Sequence, residues 1–160
     1  MFRIIGACLL GISVSLLWLY FDYLEHATLT SAGSRVGVWI YSHCPFLAAI
    51  TAYGVVGNKI FAASTGQPLS DPKRLLFTTA LAMAVFACGV IELASREKSE
   101  SLARSPQPWI RIAAAVILAL GLWGGELNVG WLVILVLAVL LLQVGLDVSK
   151  RLQRPTPEIA

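Results

Sequence analysis

Charged side chains are scarce in this sequence. Asp, Glu, Lys and Arg make up 13% of its 160 residues, about half of the roughly 25% carried by a soluble domain. A separate soluble domain is therefore not expected. Cysteine is also sparse: Cys8, Cys44 and Cys88 are odd in number, each lies inside an apolar run, and their spacing matches no zinc pattern. They read as small apolar residues, with neither a disulfide nor a metal site. No P-loop, dinucleotide fingerprint, Ser-His-Asp set or His-Glu-x-x-His motif is present, so no cofactor, no metal and no enzymatic activity are expected. A net charge of +3 with the basic residues at the ends of apolar runs does not describe a nucleic-acid binder.

What is abundant is apolar sequence, 58% of the chain, gathered in long blocks. About 20 apolar residues at 1.5 Å rise cross a hydrocarbon core of about 30 Å. Five blocks are read as spans, at about 4–23, 36–63, 75–94, 109–123 and 129–147. The fourth is the shortest, and a tight hairpin around Gly124, Gly125, Glu126 and Asn128 joins it to the fifth. The fold class is all-α, a polytopic transmembrane bundle of about five spanning helices. Residues 1–149 form one transmembrane domain, and 150–160, with Pro155 and Pro157, form a disordered cytoplasmic tail. The first block follows Met1-Phe2-Arg3 in the manner of a signal peptide. It ends in Tyr20-Phe21-Asp22-Tyr23, without small cleavage-site residues, and is read as a retained helix.

Five spans put the termini on opposite sides. Arg3, Lys59, Lys73 and Arg74 fall on one side, and the other eight basic residues on the other. By the positive-inside rule the N-terminus is outside and the C-terminus cytoplasmic, in a multi-pass protein of the plasma membrane. The linker 95–108, polar and ending in two prolines, reads as solvated, and Ser70 or Asp71 can cap the third helix.

An ionisable residue in mid-span costs about 2.5–3.5 kcal/mol on insertion scales, so the intramembrane polar residues need a reason. Asp22, Glu25 and His26 stand at i, i+3 and i+4, one face of the first helix, below Trp18. The ordinary account is an interfacial helix end with acids in water; the sharper one is a polar site at the mouth of a pathway. His43 lies deeper, with Tyr41 and Pro45 nearby. Leu47, Ile50, Gly54 and Gly57 continue its face, and the small residues suggest close packing on protein. His43 is expected to pair with Asp22, Glu25 or His26 across the first helix–helix contact. The candidate proton or solute site is thus Asp22, Glu25, His26, Tyr41 and His43. Gln143 and Asp147 are weaker candidates, with Lys150 and Arg151 placed to give Asp147 a surface salt bridge, and Gly121 and Gly125 form a small-xxx-small pair.

The run Leu17-Trp18-Leu19-Tyr20-Phe21-Asp22, then Arg35, then Tyr41-Ser42-His43-Cys44-Pro45, then Gly54 and Gly57, resembles the second half of the low-temperature-requirement A family of bacterial membrane proteins. Leu17 stands where the family motif has the first of two tryptophans. The motif likeness covers roughly the first 60 residues, and hydropathy alone agrees beyond them. Family members are about twice as long, so the resemblance implies a natural half-length form, a fragment or the product of a late start codon; a half-length form would need a second copy or the missing N-terminal half to complete its bundle. The family name records a growth requirement in the cold. The resemblance implies a membrane location, the lipid bilayer as surroundings and an active face carrying Trp18, Tyr20, Phe21, Arg35, Pro45, Gly54 and Gly57, and it supplies no reaction. Movement of a small solute, ion or proton is the leading functional expectation. A structural or regulatory role in envelope function under stress is the alternative, and a lipid-modifying enzyme is the least favoured.

The charge distribution generates a direct test of orientation. A cysteine replacing Ser99 should be shielded from an impermeant thiol reagent in intact cells, and ready labelling would reverse the assignment.

Overall fold

The computed structural model describes residues 2–25, 33–62, 68–95 and 108–152. The linker 96–107 and the tail 153–160 lie outside the described residues. Five helices follow in order: α1 (Phe2–Glu25), α2 (Gly33–Ala62), α3 (Asp71–Ser95), α4 (Pro108–Trp123) and α5 (Val129–Leu152). The chain is an all-α bundle, and among the described residues the one β-type pairing is an isolated bridge between Pro68 and Asn128. By length and composition four helices can cross a membrane, through Arg3–Phe21, Val36–Ala62, Asp71–Ala94 and Val129–Ser149. With 16 residues, α4 is about 24 Å long, short of a full hydrocarbon core. Several helices exceed their apolar blocks. At the far end α5 runs to Leu152, three residues into the stretch assigned to the tail at 150–160. Ser149, Lys150 and Arg151 contain no helix breaker, so the helix continues into the polar end, and the first proline beyond it is Pro155.

The centre of the bundle is α3, which packs along α2, α4 and α1, while α1 also lies along α5. It buries more than half of its circumference: Phe77, Thr78, Leu81, Ala82, Ala84, Ala87 and Ile91 are inside, and Leu76, Met83 and Phe86 face outwards. Against it α2 sets Ser42, Phe46, Ala49, Tyr53, Val56 and Ile60, which repeat at alternating steps of four and three, as a helix seam requires. This seam is not the face that runs from His43. Leu47 and Gly54 on that face point outwards, Gly54 into open space, and Gly57 alone is buried, in ordinary contact with Leu9. Bulky side chains won the inner position because they fill more volume than glycines do.

Successive helices run antiparallel. Tyr20 of α1 meets His43 and Phe46 of α2, and further along Tyr53 donates its hydroxyl to Leu9 O at 2.7 Å. At Gly121 α4 comes close to α3. A side chain at Gly121 would collide with the Thr78 hydroxyl and Cβ, so glycine is required there, and the small-xxx-small pair with Gly125 does mark a helix contact. Arg74, 6% exposed, fastens the same place: Nε donates to Gly121 O at 2.8 Å and Nη1 pairs with Asp71 at 2.8 Å. Its positive charge sits at the C-terminal end of α4, where the helix dipole favours a cation. The chain then turns through a 3₁₀ segment, Gly124–Glu126, and Asn128 Oδ1 caps α5 by accepting from Trp131 N at 3.0 Å. At α3 the cap position belongs to Ser70, whose backbone oxygen accepts from Lys73 N and Arg74 N.

Two glycines should therefore respond in opposite ways. Gly121→Ala overpacks the α3–α4 contact and should cost about 1–3 kcal/mol. Gly54→Ala fills open space on a helix and should be neutral or stabilising by up to about 1 kcal/mol. Melting in detergent measures both, and an unchanged Gly121→Ala protein would refute the contact.

Candidate functional site

Pro45 sets the local structure of α2. It has no N–H, so the Tyr41 carbonyl loses its helical donor. In the turn before it, side chains bond back to the helix: Ser42 Oγ donates to Val38 O at 2.6 Å, and His43 Nδ1 lies 2.7 Å from Trp39 O. A carbonyl oxygen only accepts, so Nδ1 carries the hydrogen. This fixes the neutral ring as the tautomer with a bare Nε2. Among the described residues Nε2 has no hydrogen-bond partner.

Aromatic rings hold that imidazole. Trp39 meets it edge-on with centroids 4.6 Å apart, and Tyr20 reaches it from α1 at 5.9 Å and 84°. Tyr20 in turn stacks on Phe46 at 4.7 Å and 8°. The four rings close the seam between α1 and α2 at the end where α1 finishes and α2 begins. Trp39 Nε1 is buried there without a partner. Aromatic contacts of this kind are worth about 0.5–1.5 kcal/mol each beyond burial, enough to hold a ring in one orientation.

The other expected site residues fare differently. Asp22 and Glu25 belong to the last turn of α1 and Arg35 to the first of α2, but their side chains lie outside the described residues, as does all of His26. The expected pairing of His43 with Asp22, Glu25 or His26 therefore falls outside them, and the partner that is seen is the ring's own helix. Tyr41 is not brought to His43: it is 75% exposed and points outwards, two residues and so about 200° away round the helix. Trp18 and Phe21 also face outwards, whereas Tyr20 between them turns in. Pro45 is on the outer surface.

Sequence reasoning placed Asp147 at the surface and treated Arg74 as a charge at a helix end. Both are buried, Asp147 at 3% exposure together with Gln143 at 2%. The signal for Asp147 was its spacing: it continues the inward positions Val133, Val136, Leu140 and Gln143 of α5. Among the described residues no group of three or more His, Cys, Asp or Glu is arranged to hold a metal. A cleft of about 230 Å³ between the beginnings of α1 and α5 is lined by Ile4, Ile5, Cys8, Trp131 and other mainly apolar residues, with Asn128 as its polar side chain, whose Oδ1 already caps α5.

The family model described as "Bacterial low temperature requirement A protein" matches residues 2–145. The chain belongs to this family. The match reaches well past the motif-bearing first 60 residues and takes in all of α3 and α4 and most of α5. No curated protein and no solved structure matches the chain. Membership of the low temperature requirement A family, with four helices able to cross a membrane, makes this a bacterial membrane protein.

The tautomer is open to measurement. In ¹⁵N NMR of the protein in detergent above neutral pH, His43, assigned by its absence in His43→Gln, should show protonated Nδ1 and bare Nε2. The opposite tautomer would contradict the bond to Trp39.

Proposed function

We propose that this low temperature requirement A protein moves a small solute, ion or proton, and that His43 in the ring cluster between α1 and α2 is the group that handles it. One observation carries the reading. Nδ1–H is committed to Trp39 O while Nε2 has no partner among the described residues, so the ring is held in place by one nitrogen and can accept a proton or a donor group on the other. Histidine suits this because its charge changes within the physiological range. On the orientation proposed from the basic residues, with the C-terminus in the cytoplasm, this end of the bundle faces the cytoplasm. The protein is not assigned an enzymatic role.

A structural or regulatory role in the envelope, without a substrate, is the second reading. It is favoured by Ser15, Ser42, Thr78 and Tyr53, whose hydroxyls bond to carbonyls inside the bundle and so stabilise it without leaving a group for a solute.

Flux separates the two. Proteoliposomes enclosing a pH-sensitive dye should dissipate an imposed pH gradient faster than protein-free vesicles. His43→Gln should slow this by about a hundredfold or more, the lower end of the range for loss of a proton-transferring group, while Val55→Ala on the outer face should not. Equal rates with and without protein would remove the transport reading.

A further inference from the structure

The window Val129–Ser149 of α5 is the most apolar in the bundle, yet its inward face ends in two polar residues. Val129, Leu132, Val133, Val136 and Leu140 are buried, and Gln143 and Asp147 continue the same line at i+3 and i+7 from Leu140. Gln143 lies six residues inside the end of that window, about 9 Å along the helix axis. Snorkelling to the interface does not account for it, since the side chain is 2% exposed.

The amide is also unsatisfied: Gln143 Nε2 is buried with no hydrogen-bond partner. Since α1 lies along α5 with Gly11 against Leu137, the stretch of α1 level with Gln143 presents Leu16 and Leu19 inwards. The hydroxyl of the neighbouring Ser15 is spent on Gly11 O at 2.8 Å. In apolar surroundings an orphan amide costs at least as much as a lost hydrogen bond. One turn on, Asp147 has an interaction of its own, but a carboxylate offers about four acceptor positions and so retains capacity for another donor.

We infer that Gln143 and Asp147 form a hydrated binding site inside the bundle, open towards the end where α5 finishes, whose occupant is water or a water-sized neutral solute. The occupant must accept from the amide and donate to the carboxylate, and water does both. A buried water normally has two to four polar partners, and these two side chains supply the minimum. The site stands apart from His43, on another helix, and is required under either reading of the function.

Accessibility tests it in the full chain. With Cys8, Cys44 and Cys88 replaced by Ala, a small water-soluble methanethiosulfonate should modify Gln143→Cys about tenfold faster than Leu140→Cys or Val136→Cys, because only a hydrated path carries the reagent to the deeper face. Equal, slow modification of all three, with ready modification by an apolar maleimide, would show a dry site and overturn the inference. Should Gln143→Cys fail to fold, Gln143→Leu decides. Loss of a hydrated amide should lower the melting temperature in detergent, whereas removal of a dry, unpaired one should raise it.

Discussion

Hydrocarbon offers no hydrogen bonds, and the rest of this bundle depends on that fact. Each polar group carried into the apolar interior must find its partner in the protein. The hydroxyls of Ser15, Ser42 and Thr78 do so by bonding to the carbonyl four residues back, a local solution that binds no other helix. Others reach across instead. Tyr53 gives its hydroxyl to Leu9 O, tying α2 to α1, and Arg74 gives Nε to Gly121 O, tying α3 to α4. These long-range bonds fix relative position in a way apolar packing alone does not, since lipid competes equally for apolar faces.

The helix count and the fold class were legible in the sequence because span length is a property of composition. Which face of a helix turns inwards was much less so. In α2 apolar residues occur all round, and when the solvent is as apolar as the core the pattern carries little directional information. The reading from His43 through Gly54 chose a face about one residue off the true seam of Phe46, Ala49 and Tyr53. Small residues proved informative where two helices nearly touch, at Gly121, and uninformative where nothing approaches, at Gly54. Sequence cannot separate these cases without knowing the neighbour.

The polar residues divide along the same line. His43 was found from its depth in an apolar run, but its bond to Trp39 O was not foreseen, because a side chain that bonds to its own helix leaves no mark in the spacing of other polar residues. Arg74 and Asp147 both looked like charges near helix ends. Their burial depends on how α4 and α5 end and turn. For Arg74 the decisive feature is a carbonyl near the C-terminal end of a neighbouring helix, a group present in every sequence and visible in none.

Several of these partners gather at one end of the bundle. Where α1, α3 and α5 begin, the chain is fastened by the Arg74–Asp71 pair, the Arg74–Gly121 bond, the Asn128 cap and the Pro68–Asn128 bridge. At the opposite end His43 Nε2 has no partner among the described residues, and Trp39 Nε1 and Gln143 Nε2 are buried without one. Pro45 also removes one backbone donor of α2 at this end, while Glu92 and Asp147 have interactions of their own there. A polar occupant that satisfies the groups with spare bonding capacity would stabilise whichever arrangement brings them to it.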